Sequence, residues 1–87
     1  MTNKVQYDAG TLEVDNISQV IEPDMAIRHL LIYPKDDCFV TLNDSKKEIF
    51  IPKNMWTPIS ASSSFLCDKF TIKTATSCIA YWQGWVN

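Results

Sequence analysis

Cys78-Ile-Ala-Tyr-Trp-Gln-Gly-Trp-Val-Asn87 reads as an aromatic β-strand. Ile79, Tyr81, Gln83 and Trp85 fall on one face and Ala80, Trp82 and Gly84 on the other, because successive side chains of a strand point to opposite sides. Both faces carry bulk, so the strand is expected to be covered twice, by the domain's own core and by another copy of the chain. Upstream, Phe70-Thr-Ile-Lys-Thr74 has the sharpest alternation, with Phe70, Ile72 and Thr74 on one side and Thr71 and Lys73 on the other. That pattern predicts a strand with one core face and one wet face.

Working outward, further runs of strand character recur at short intervals. They are Lys4 to Asp8, Leu12 to Asp15, Ile17 to Ile21, Ala26 to Tyr33, Phe39 to Leu42, Glu48 to Ile51, Trp56 to Ser60, Lys69 to Thr74 and Ile79 to Trp85. Pro34-Lys-Asp-Asp37, Asn43-Asp-Ser-Lys46 and Pro52-Lys-Asn-Met55 separate them with residues that fix φ or hydrogen-bond to their own backbone. Only Gly10 and Gly84 are present, so turns must rely on asparagine, aspartate and proline, and tight glycine-dependent hairpins should be few. Glu22 to Tyr33 also admits a short helix opened by Pro23. The β-branched and aromatic pair Ile32-Tyr33 favours strand. The fold class predicted is all-β: a small antiparallel β-sandwich, jelly-roll-like, of about eight short strands, with residues 1–87 as one domain.

The chain has 87 residues, 46% hydrophobic and 21% charged, a composition that folds but supports only a small core. There is no run of about eighteen apolar residues to span a membrane. Met1 to Asp8 lacks the apolar segment of a signal peptide, so a soluble intracellular origin is the expectation. Cys38, Cys67 and Cys78 are odd in number and each has apolar neighbours, which predicts reduced, buried thiols. The net charge of −2 conceals an asymmetry: residues 1–45 hold three basic against eight acidic residues, and residues 46–87 five against two. Opposite halves of this kind can draw copies together head to tail.

Chemistry of the catalytic kinds is not written in the chain. His29 is the single histidine; its position between Ile27 and Leu31 predicts a semi-buried, hydrogen-bonded side chain. The serines Ser60, Ser62, Ser63 and Ser64 have no activating context. The three cysteines with His29 lack C-x-x-C spacing for zinc, and Asp36, Asp37 and Asp44 lack the ordered loop for calcium. Two glycines cannot make a phosphate-binding fingerprint. The expectation is a protein that is not an enzyme and takes no cofactor or metal. Tyr33, Trp56, Tyr81, Trp82 and Trp85 are the candidate binding residues, either as core or as anchors for a partner. A single-strand nucleic-acid groove would need a basic lining, which the acidic balance opposes. A sugar- or receptor-binding module would need its aromatics exposed on one concave face.

From Ile27-Arg-His-Leu-Leu-Ile-Tyr33 through Cys38-Phe-Val-Thr-Leu-Asn43, Ile49-Phe-Ile-Pro52 and Phe70-Thr-Ile-Lys-Thr74 to Tyr81-Trp-Gln-Gly-Trp85, the chain resembles small tailed-bacteriophage virion proteins. The resemblance implies a capsid decoration (cement) protein or the capsid-attached base of a head fibre. It implies a β-sandwich that oligomerises with itself, often as a trimer, and binds the major capsid protein on the virion exterior after synthesis in the host cytoplasm. Tyr33, Trp56, Tyr81, Trp82 and Trp85 are then the interface candidates. Any of them buried within its own monomer leaves that set.

Overall fold

The computed structural model describes residues 7–59 and 66–86; the expectations for Lys4 to Gln6 and for the serines from Ser60 to Ser64 lie outside them. Eight strands follow one another: β1 Tyr7–Val14, β2 Gln19–Ile21, β3 His29–Pro34, β4 Cys38–Leu42, β5 Ile49–Ile51, β6 Thr57–Ile59, β7 Phe70–Thr74 and β8 Cys78–Trp85. They form two antiparallel sheets, with strand orders β1-β8-β3-β6 and β2-β7-β4-β5. Pairs β1·β8, β2·β7, β3·β6 and β4·β5 are those of one long hairpin folded over on itself, and β8·β3 and β7·β4 zip the folded halves together. Every connection but β4 to β5 crosses between sheets. This is the strand order of a jelly roll.

The core lies between the sheets because alternate residues of each strand point inward. Leu30, Ile32, Ala80 and Trp82 come from one sheet and Cys38, Val40, Ile51, Phe70 and Ile72 from the other, all buried. Phe70 meets Trp82 edge to face at 5.4 Å and 73°, a favoured aromatic geometry. Ile27 and Cys67 exchange backbone hydrogen bonds of 3.0 and 2.8 Å. That bridge takes the place of the predicted strand start at Ala26, and β3 begins at His29.

Two sequence expectations change. Lys4 to Asp8 and Leu12 to Asp15 were expected as separate strands, yet Tyr7–Val14 is one strand paired with β8 without interruption. Gly10 is not a breaker: a Cβ there would lie 2.7 Å from Nε1 of Trp82, so glycine leaves room for the indole. His29 is exposed rather than semi-buried, because Leu30, Ile32 and Pro34 take the inward parity of β3.

Turn chemistry follows the asparagines. Asn43 and Asn54 adopt φ of 52° and 61°, and neither glycine has positive φ. Asn43 also ties the end of β4 to the segment that leads into β7: its Nδ2 donates to the Leu66 carbonyl at 2.9 Å and its Oδ1 accepts the Asp68 N–H at 2.8 Å. Among the described residues Asn54 engages through its backbone N–H, which donates to the Pro34 carbonyl at 2.8 Å, and its side chain has no partner there. Asn54→Ala is therefore expected to cost about 1 kcal/mol, and Asn54→Gly close to nothing, since a Cβ without a local polar partner is strained in this region. Thermal unfolding of both variants checks this.

Candidate functional site

The outer face of the β1-β8-β3-β6 sheet can be read row by row from its register. Glu13 pairs with Ile79, and Lys35 donates its N–H to the Ile79 carbonyl at 2.8 Å. Next come Thr11, Tyr81 and Tyr33, then Ala9, Gln83, Leu31 and Pro58, then Tyr7, Trp85 and His29. Trp56 immediately precedes β6 and reaches Tyr33 at 5.4 Å between ring centroids, while Tyr33 and Tyr81 stand 6.3 Å apart. The Lys35 ammonium lies 5.3 Å from the Tyr33 ring centroid, within cation–π range.

Four of the five sequence candidates therefore share this face: Tyr33, Trp56, Tyr81 and Trp85. Trp82 does not. It is 5% exposed, inward by the alternation of β8, and so it leaves the interface set. The expected second covering of β8 is also not supplied by the described residues, among which Ile79 remains 43% and Tyr81 37% exposed. Trp56 at 42% and Tyr7 at 60% complete an apolar surface of the kind that marks an interaction site. Tyr7, Ala9, Leu31 and Pro58 were not singled out from the sequence. Their alternation was readable, but their place beside β8 required knowing which strands pair.

A groove of about 370 Å³ runs between β1 and the Trp56 side of the face, lined by Ala9, Thr11, Tyr81 and Gln83 among others. Through Ala9 and Gln83 it meets a second depression of about 260 Å³ that ends on Tyr7 and Trp85. Small Ala9, directly opposite Gln83, gives the groove its depth. The lining contains no charged side chain.

The opposite sheet has its own exposed aromatic pair, Phe39 and Phe50, with centroids 5.7 Å apart. Phe39 faces outward because Cys38 and Val40 hold the inward parity of β4. On the same face Lys73 pairs with Glu48 at 2.7 Å.

The acidic turn residues act on the backbone. Asp36 Oδ1 accepts the Asp37 N–H at 2.8 Å, Asp37 Oδ1 accepts the Lys53 N–H at 3.0 Å, and the Thr76 hydroxyl donates to Asp36. The Thr76 hydrogen bond, then that from Asp37, hold the Asp36 carboxyl below its ordinary value. Among the described residues no group of three or more His, Cys, Asp or Glu could hold a metal ion.

All three cysteines are free thiols. Burial, and then the Cys78 sulfur 4.0 Å away, push the Cys38 thiol up to about 12 from an ordinary 9.0. Burial also raises Cys67. A thiol whose folded pKa exceeds its unfolded one contributes stability that is fully present below the unfolded value and is lost as pH rises towards the folded value. The urea midpoint is thus expected to hold steady to about pH 9 and to fall from there towards pH 12. A Cys38→Ala/Cys67→Ala chain should show a shallower fall over that window, and equal slopes would refute the assignment.

Comparison of the chain with protein-family models, curated proteins and solved structures found no match in any of the three. The fold and the face define the class at this level: a small jelly-roll domain with an exposed aromatic sheet face whose central groove is uncharged and whose end row carries Glu13 and Lys35.

Proposed function

We propose that this chain is a non-enzymatic structural protein of a virus particle, a decoration or cement protein of a phage head that associates with itself and with the major capsid protein. The observation that carries the reading is the outer face of β1, β8, β3 and β6, where Tyr33, Trp56, Tyr81 and Trp85 lie on one surface. Tryptophan and tyrosine anchors dominate the energetics of many interfaces. Jelly rolls recur in capsid proteins, although fold alone does not assign a task, and the strand phrases resemble phage virion proteins. Association of the chain through this face, together with binding to assembled capsid subunits and not to isolated ones, would stabilise the shell by mass action.

Co-sedimentation with purified particles tests the reading. The chain should travel with particles and raise their heat resistance, and Trp56→Ala/Tyr81→Ala should release it. A chain absent from particles overturns it.

A second reading has its own observation. Trp56, Tyr81, Thr11 and Gln83 give the groove aromatic walls with hydroxyl and amide groups, a composition suited to a neutral sugar. Retention on immobilised glycans that is lost in Trp56→Ala would favour it. The single-strand nucleic-acid reading finds no basic residue in that lining.

A further inference from the structure

We propose that a second copy of the chain covers this outer face, packed sheet to sheet about a two-fold axis that runs along β8. The proposal deepens the self-association in the reading above and rests on it. A self-complementary contact places the same patch on both copies, and for two stacked sheets the axis lies between them, either along the strands or across them. The register distinguishes the two.

With the axis along β8, β1 of one copy lies over β3 of the other. Ala9 then faces Leu31, Thr11 faces Tyr33 and Glu13 faces Lys35. Small meets large in two rows and acid meets base in the third, and each match occurs twice by symmetry. The groove along Ala9, Thr11 and Gln83 receives the ridge formed by Leu31 and Tyr33. With the axis across the strands, Ala9 would face Thr11, Leu31 would face Tyr33 and Lys35 would face His29. Small would then lie on small and large on large, and Glu13 would have no cation opposite.

Residues on the axis meet their own counterparts. Along β8 these are Ile79, Tyr81, Gln83 and Trp85. The one polar group among the four that is neither apolar nor aromatic is an amide, which both donates and accepts and so can pair with its own copy. A charged residue there could not. Glu13 makes no ion pair among the described residues, so it is available to the other copy.

The contact is small and the sheet edges are guarded. With β8 over β8, β1 over β3 and β6 outside the overlap, three strands of eight, eight and six residues at about 4.8 Å spacing and about 3.3 Å per residue give about 350 Å² per copy. Two such faces total about 700 Å², the size of a weak, reversible association. Aligned sheets cross at about 30°, which shifts the end rows by a few ångströms, within reach of glutamate and lysine. Edge pairing through β1 is disfavoured, because Asp8 occupies that edge: its carboxylate accepts the N–H groups of Ala9 at 2.8 Å and Asp24 at 2.9 Å. The β6 edge is three residues long with Pro58 at its centre, a form that blunts pairing.

Sedimentation equilibrium over a concentration series tests the arrangement, with circular dichroism confirming that each variant is folded. The wild-type chain should dimerise. Glu13→Lys and Lys35→Glu should each weaken the dimer about tenfold or more, because each sets two like-charge pairs in the interface. The Glu13→Lys/Lys35→Glu chain should return to within about threefold of wild type, since the swap restores both pairs. Gln83→Glu should give a monomer at neutral pH. A wild-type monomer at every concentration overturns the proposal, as do single changes without effect or a double swap as weak as the singles. Dimerisation of a wild-type chain that fails to co-sediment with particles keeps this proposal and removes the virion reading; a monomeric chain that does co-sediment has the reverse consequence.

Discussion

Trp82→Ala is expected to unfold the domain or leave it at the edge of unfolding, whereas Trp85→Ala, three residues on, should leave it folded. Trp82 is 5% exposed, meets Phe70 edge to face, and fills the space that Gly10 leaves open. Truncating a buried aromatic costs about 3 to 5 kcal/mol. A chain of this length has about 4 to 13 kcal/mol of stability at the typical contribution per residue. Trp85 is only half-buried, on the outer face, and a change there should alter monomer stability by less than about 1 kcal/mol. Urea unfolding followed by circular dichroism separates the two. The reverse result would mean that β8 is out of register by one residue, since a single slip exchanges every side chain between core and surface.

Gly84→Ala is the second change with a large expected effect. A Cβ at this position would lie 2.5 Å from Cδ1 and 3.1 Å from Cγ2 of Ile27. Ile27 has no exposed surface and its backbone is held by the bridge to Cys67, so the side chain has little room to move. Overpacking of this kind costs about 1 to 3 kcal/mol. Ile27→Val removes Cδ1, the nearer of the two obstructions, and alone should cost about 0.5 to 1.5 kcal/mol. Combined with Gly84→Ala it should cost less than the sum of the two, because the cavity left by one is filled by the other. Strict additivity of the unfolding free energies would show that the two side chains do not compete for the same space.

Local periodicity made much of the fold legible. Phe70 to Thr74 and Ile79 to Trp85 were readable as strands because side chains alternate by geometry alone, and the inward and outward sets of both match the structure. The asparagine-rich turns were legible for a similar reason, since few residues tolerate positive φ and only two glycines compete for the role. His29 was misjudged, and the outward facing of Phe39 was not legible, because an apolar run gives no parity of its own. The continuity of β1 through Gly10 was not legible, because the side chain that requires a glycine there, Trp82, lies far away in sequence.

The site divides in the same way. That Tyr81 and Trp85 share a face, opposite Trp82, was determined by the sequence through the period of two. That Tyr33, Trp56 and Tyr7 lie on that same surface was decided only by tertiary structure, because β8 pairs with β1 on one side and β3 on the other across long stretches of chain. Strand propensity and alternation are local quantities, and they determined that this chain is a β-sandwich with an aromatic closing strand. Which strands become neighbours depends on the combined burial of both sheets' inner faces, so only the folded chain decided that one outer face would gather Tyr7, Tyr33, Trp56, Tyr81 and Trp85.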